Sequence, residues 1–200
     1  MKWEEDLTKN IRTGTQFDDR DEISEPITYN GNEGEFTQKN RELLLEYFNY
    51  VKNHCTAILE IGVCRNGDNS STRILLQNKK PDTIYVGIDL DDKSFLNDTE
   101  KNIYTIRGNS GNILENMKQM NKWGVETFEF IFIDGWHSIN QVLADWEYTR
   151  WLSDNGLVAL HDVSGHPGPY YFIKALNKEK WNVEENLSPE DYGLGFAWLK

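Results

Sequence analysis
The chain has 200 residues, 38% hydrophobic and 12% aromatic with seven Trp, enough apolar mass for one folded domain and too much for a disordered chain. A formal net charge of −12 and a pI near 4.8 repel phosphate backbones and anionic lipid surfaces, so neither nucleic acid nor membrane is an expected partner. Cys55 and Cys64 form no C-x-x-C pair or disulfide framework, the start at Met1–Glu5 carries no apolar leader, and no apolar run nears the roughly 18 residues of a membrane span; a cytoplasmic setting is expected.

In chain order, residues 1–38 are polar and weakly periodic and read as an arm or lid, with the main domain over 39–200. Leu44, Tyr47, Phe48 and Val51 then share one face of a helix. Ala57–Val63 is a short apolar run ending near Gly62, read as a buried strand, and Ser70–Gln77 is read as a helix. Thr83–Asp89 and Asn102–Ile106 give two more strands, followed by a helical face at Ile113, Met117 and Met120. Phe128–Asp134 is the densest run of β-branched and aromatic residues and predicts a strand. Ile139, Val142, Leu143 and Trp146 share a helical face, and Leu157–Asp162 predicts a fifth strand. The Gly/Pro segment Gly165–Pro169 reads as a loop before a helix near Tyr171–Asn177, and strands are expected near Trp181–Val183 and Gly195–Leu199.

Continuous apolar strands alternating with amphipathic helices imply an α/β fold with a parallel sheet covered on both faces. Ligands of such sheets bind beyond the carboxyl ends of the strands, so residues at those ends carry the information. The loop after the first strand holds Gly62 and Gly67 at Walker A separation, but Asp68-Asn69 stands where Lys-Ser/Thr is needed, and the three-glycine dinucleotide spacing is absent. Asp89 closes the second strand, where a carboxylate can accept hydrogen bonds from both hydroxyls of a ribose; Asp91 and Asp92 read as the start of a solvated turn or a helix cap.

These features resemble the class I S-adenosylmethionine-dependent methyltransferases over about three quarters of the chain, from Ala57 onward. Leu59–Val63 looks like their first motif and Val86–Asp89 like their second. Phe132–Ser138, with Asp145, Gly156–Asp162 and Gly193–Ala197, resembles a subfamily marked by an I-D-G-x-H-S box and related to catechol and macrolide-sugar O-methyltransferases. The resemblance implies a Rossmann-like three-layer sandwich around a mostly parallel seven-stranded sheet with an antiparallel last strand. It implies that Glu60, Gly62 and Gly67 line the methionine part of the cofactor, with Val63 and Leu90 also among the cofactor-binding residues. Asp89 would then hold the ribose hydroxyls, Asn109 and Ser110 would contact the adenine edge, and Asp134 would sit near the sulfonium and acceptor. Asp134 and Asp162 match two Mg²⁺ ligand positions of those relatives, while Val163 stands at the third and cannot coordinate, which leaves Mg²⁺ doubtful.

An alcohol acceptor must lose a proton, and Asp134, His137 and Asp162 are the expected catalytic residues. His137 has a rival reading as a cap of the helix beginning near Ser138, His161 reads as a satisfied core histidine, and His166 as a loop residue. The expected function is methylation, O-methylation first, of a small-molecule acceptor. A cofactor-binding protein without catalysis and an NAD-dependent oxidoreductase are the alternatives, and a homo-oligomer is left open.

Overall fold
The computed structural model describes residues 36–63, 70–186 and 192–200. The arm expected over 1–38 lies outside them except for Phe36, Thr37 and Gln38, and so does Gly67. The elements run α1 (Gln38–Val51), β1 (Ala57–Ile61), α2 (Ser71–Asn78), β2 (Ile84–Asp89), β3 (Ile103–Arg107), α3 (Ile113–Lys122), β4 (Phe128–Ile133), α4 (Ile139–Trp146), β5 (Leu152–His161), α5 (Pro167–Ala175), β6 (Trp181–Asn186) and β7 (Leu194–Leu199). They form one seven-stranded sheet of order β3-β2-β1-β4-β5-β7-β6. The pairs among the first five strands are parallel, and β7 runs antiparallel to β5 and β6. The sequence expectation of a three-layer, mostly parallel sheet with an antiparallel last strand holds.

The period of two along each strand builds two separate cores. Leu59, Ile61, Val86, Ile88, Ile131, Ile133, Val158 and Leu160 pack with Met117, Met120, Val142, Trp146 and Phe172 of α3, α4 and α5. Ile58, Tyr85, Phe130, Phe132, Leu157 and Ala159 face the other way, onto Leu44, Phe48 and Val51 of α1 and Leu75 of α2. The Phe48 and Phe130 rings meet edge to face at 5.2 Å, and Tyr47 stacks on Phe196 at 3.6 Å. Fully burying a side chain of this kind contributes about 1.5–3 kcal/mol, so the paired faces, and not local propensity, hold the layers together.

Two boundaries differ from the sequence reading. α5 begins at Pro167, inside the segment read as a loop, because a first helical turn leaves its N–H groups unbonded and Pro lacks only that group. β5 begins at Leu152, through the exposed Asp154 and Asn155, and a register shift between Phe128 and Phe130 accommodates this polar stretch at the sheet end. Among the described residues no helix is long and apolar enough to cross a membrane.

Candidate functional site
The strand order reverses between β1 and β4, and ligands of such sheets bind beyond the carboxyl ends of the strands at that reversal. On one side stands Glu60, fully buried one residue before the end of β1. Ser71 Oγ donates to its Oε1 at 2.6 Å, and the Tyr85 hydroxyl donates to Oε2. Burial pushes the Glu60 carboxyl up to about 7; the hydroxyls of Ser71, Tyr85 and Thr72 oppose the rise, and the charge of Asp134 adds to it.

Gly62, at φ 84°, is where the two loops cross: a Cβ there would lie 2.0 Å from the Asp134 carbonyl oxygen. The Asp134 backbone fills the space a side chain would need there. Val63 likewise turns its side chain into the core and offers the site only its backbone. Its N–H donates to Asp89 Oδ2 at 2.7 Å, while the Asp91 N–H donates to Oδ1 at 2.8 Å and Lys93 Nζ stands 3.9 Å from Oδ2. Asp89 thus ties the β1 and β2 loops together. Leu90 beside it is 70% exposed, and Asp92 holds the Ser94 N–H in the solvated turn read from sequence. Asn109 is exposed and braces its own loop through Gly111 N–H at 2.7 Å. Ser110 is buried in a polar network: its hydroxyl accepts from Gln141 Nε2 at 2.8 Å, its carbonyl accepts from Tyr148 at 2.7 Å, and Gln141 donates onward to Asp145 at 2.7 Å.

On the other side the ends of β4 and β5 gather two carboxylates and three imidazoles. His137 Nε2 sits 2.8 Å from Asp162 Oδ2. His161 Nδ1 lies between both acids, 3.1 Å from Asp134 Oδ1 and 3.3 Å from Asp162 Oδ1. The His137 and His166 rings are 3.7 Å apart, and Trp136 lies nearly parallel to His137 at 6.3 Å, half exposed. Burial works against a charge on His161, but Asp162 and Asp134 outweigh it and hold the imidazole well above its ordinary pKa. Burial also opposes ionised Asp162, and His161 and His137 overcome it, holding the carboxyl well below the usual range.

The backbone sets this cluster firmly. Asp162 adopts φ 65°, a left-handed conformation costing on the order of 1–3 kcal/mol for a residue with a Cβ, and its carbonyl receives the N–H groups of Gly165 and His166. His137 does not cap α4; the Ser138 hydroxyl does, accepting from Gln141 N–H at 3.2 Å. His161 is not a core histidine satisfied away from the site. The period of two turns it to the α1 face, where Asn40 Nδ2 meets its Nε2 at 3.1 Å and Phe36 packs on its ring at 5.2 Å. Asn40, which the sequence reading left out, and His166, read there as a loop residue, complete the surroundings; the one available signal was the run of His and Asp around a strand end.

Asp134 and Asp162 are the carboxylates that could hold a divalent cation, and Val163 beside them is fully buried in the core. Both acids already carry imidazoles at contact distance. Mg²⁺ takes oxygen ligands, commonly one or two carboxylates with several waters, and these two acids could supply that set.

No family model matches the chain, and no curated protein matches it significantly. Solved structures do. MycE, a methyltransferase of mycinamycin biosynthesis determined with Mg, SAH and mycinamycin VI, aligns over 77% of this chain with a TM-score of 0.53 and 17% identity, and this chain spans 47% of that protein's length. CalS11, a TDP-rhamnose 3'-O-methyltransferase of calicheamicin biosynthesis, aligns over 80% of each chain with a TM-score of 0.56 and 15% identity. A Streptococcus mutans protein assigned to the methyltransferases and crystallised with SAH aligns over 80% of this chain and 96% of its own, with a TM-score of 0.52 and 17% identity. At these identities the likeness establishes the fold.

Proposed function
We propose that the chain transfers a methyl group from S-adenosylmethionine to a hydroxyl oxygen of a small polar acceptor. The observation that carries the reading is the His137–Asp162 pair, 2.8 Å apart beyond the ends of β4 and β5, on the same edge of the sheet as Glu60 and Asp89. The names of MycE and CalS11, and the SAH crystallised with MycE, support it. Bound S-adenosylmethionine would supply a methyl group on an already cationic sulfur, so the protein has to position the partners and remove a proton; positioning can supply on the order of 7–11 kcal/mol.

Glu60 and the Val63 backbone would line the methionine part, with Gly67 beyond them. Asp89 would accept the ribose hydroxyls on lone pairs its loop contacts leave over. Leu90 would cover an adenine face, and Asn109 with Ser110 would border the adenine edge. Asp134, between Gly62 and His161, would face the sulfonium and acceptor. As the acceptor oxygen gained the methyl group that bound S-adenosylmethionine would supply, His137 would take the acceptor's proton. Asp162 favours the resulting imidazolium. Phe36 packs on the His161 ring at 5.2 Å and would border the acceptor. The acidic balance of the chain favours small molecules over nucleic acid or membrane.

Parallel calorimetric titrations with S-adenosylmethionine, SAH and NAD test the cofactor, followed by SAH release with a panel of aliphatic and phenolic hydroxyl acceptors. Binding of NAD without S-adenosylmethionine overturns the reading. Cofactor binding with no release across the panel leaves a binding protein in its place.

A further inference from the structure
We infer that His137, Asp162 and His166 form a binding site for a divalent transition ion of the zinc class, a site selective against Mg²⁺. The three side chains each offer one ligand atom, all within 4.8 Å of one another. Two imidazoles and one carboxylate form a nitrogen-rich set that suits first-row ions such as Zn²⁺, Co²⁺ or Ni²⁺ and leaves open positions for water or a ligand. The second grouping, Asp134, His161 and Asp162, holds one imidazole, and its Nδ1 already lies between both acids. Nitrogen content therefore separates the two groupings.

Three features favour the first. The His137 and His166 rings are 3.7 Å apart with Asp162 beside them, so one ion can reach both imidazoles and the carboxylate. The ligands are set in place by backbone contacts rather than by an ion. Gly168 N–H donates to the His137 carbonyl at 2.9 Å, a Cβ on Gly168 would lie 2.2 Å from that oxygen, and the Gly165 and His166 N–H groups both return to the Asp162 carbonyl at 3.3 Å. Such a frame avoids the ordering cost a flexible site meets on binding. The cluster is also shielded yet reachable, with side-chain exposures of 14% at His137 and 5% at Asp162 and the half-exposed Trp136 at its mouth. An ion bound by His137 Nε2 and Asp162 Oδ2 would take up the nitrogen of His137 that faces the carboxylate at 2.8 Å. Occupancy and the proton-accepting role of His137 then exclude each other.

The test is a titration of the chelator-treated full chain with Co²⁺ in a large excess of Mg²⁺, followed by visible absorption. The expected result is one equivalent bound with a ligand-field band, displaced by Zn²⁺ and not by Mg²⁺. His166→Gln should lower the Co²⁺ affinity at least ~10-fold, since even outer partners of metal ligands cost that much, with circular dichroism unchanged. His137→Gln gives the same reading if the first variant fails to fold. Asp134→Asn should leave the affinity in place. Binding lost with Mg²⁺, or lost in Asp134→Asn while kept in both His variants, overturns the site. SAH binding, measured on the same samples, reports on the methyl-transfer reading separately, because its absence would leave the Co²⁺ result untouched.

Discussion
Glu60 and Asp162 are both carboxylates buried at strand ends on the same edge of the sheet, yet one is driven up to about 7 and the other is held well below the ordinary range. Burial penalises both charges. Their partners differ: Glu60 is held by neutral hydroxyls of Ser71 and Tyr85, while Asp162 meets the imidazoles of His137 and His161. A neutral donor lowers a buried carboxyl less than a cationic one does. The same burial thus yields one acid poised near neutrality beside β1 and one fixed anion beyond β5. In the proposed reaction the first faces the donor's positive end and the second supports the proton acceptor.

Gly62, where the two sides meet, gives the largest expected effect. Gly62→Ala places a methyl 2.0 Å from the Asp134 carbonyl at φ 84°, and should cost on the order of 2–6 kcal/mol in a urea melt. A transition like the wild type would mean that the loops do not need that contact. His137→Gln comes next and should act on one side alone. Turnover is expected to fall ~10²–10⁴-fold with SAH affinity unchanged. A matching loss of SAH affinity would erase the division into donor and acceptor sides.

Glu60→Gln sharpens the comparison through pH. A carboxyl whose folded pKa of about 7 exceeds its reference value of 4.5 contributes stability below 4.5 that is lost as pH rises through 7. The full difference is about 3 kcal/mol, and no solvent discount applies to a group with no exposure. Glutamine does not titrate, so the variant should gain on the wild type by that amount across this window in denaturant melts. Asp162 runs the opposite way, its contribution being lost only as pH falls. A flat difference for Glu60→Gln would show that its hydroxyl partners offset burial entirely.

The sheet was legible from sequence because buried parallel strands read as continuous apolar runs, and Glu60, Asp89, Asp134 and Asp162 stand where such runs stop. The imidazole cluster was not. His161 is fixed by Asn40, 121 residues earlier, and His137 by Gly168 across the α5 turn, contacts with no local signature. His161 read as a core residue because it ends a buried apolar strand just before Asp162. Ser110 was placed correctly at a strand end, but its bonds to Gln141 and Tyr148 belong to a buried network that spacing cannot show.

Asp89 carries the smallest effect and divides structural from binding roles most sharply. Its two oxygens already accept the Val63 and Asp91 N–H groups, so part of its work is to join the β1 and β2 loops whether or not a ribose is present. Asp89→Asn keeps the size and one acceptor oxygen but removes the charge, and its amide donor would oppose one of those N–H groups. If the carboxylate also receives ribose hydroxyls, SAH affinity should fall by about 1–3 kcal/mol in calorimetry, the range for charge-assisted hydrogen bonds. Adenosine, which keeps the ribose but lacks the amino-acid tail, should lose the same amount. Asp92→Asn, in the exposed turn, should change neither. A loss for SAH without a loss for adenosine would confine Asp89 to bracing the Val63 loop, and the ribose would then have to find its acceptor elsewhere.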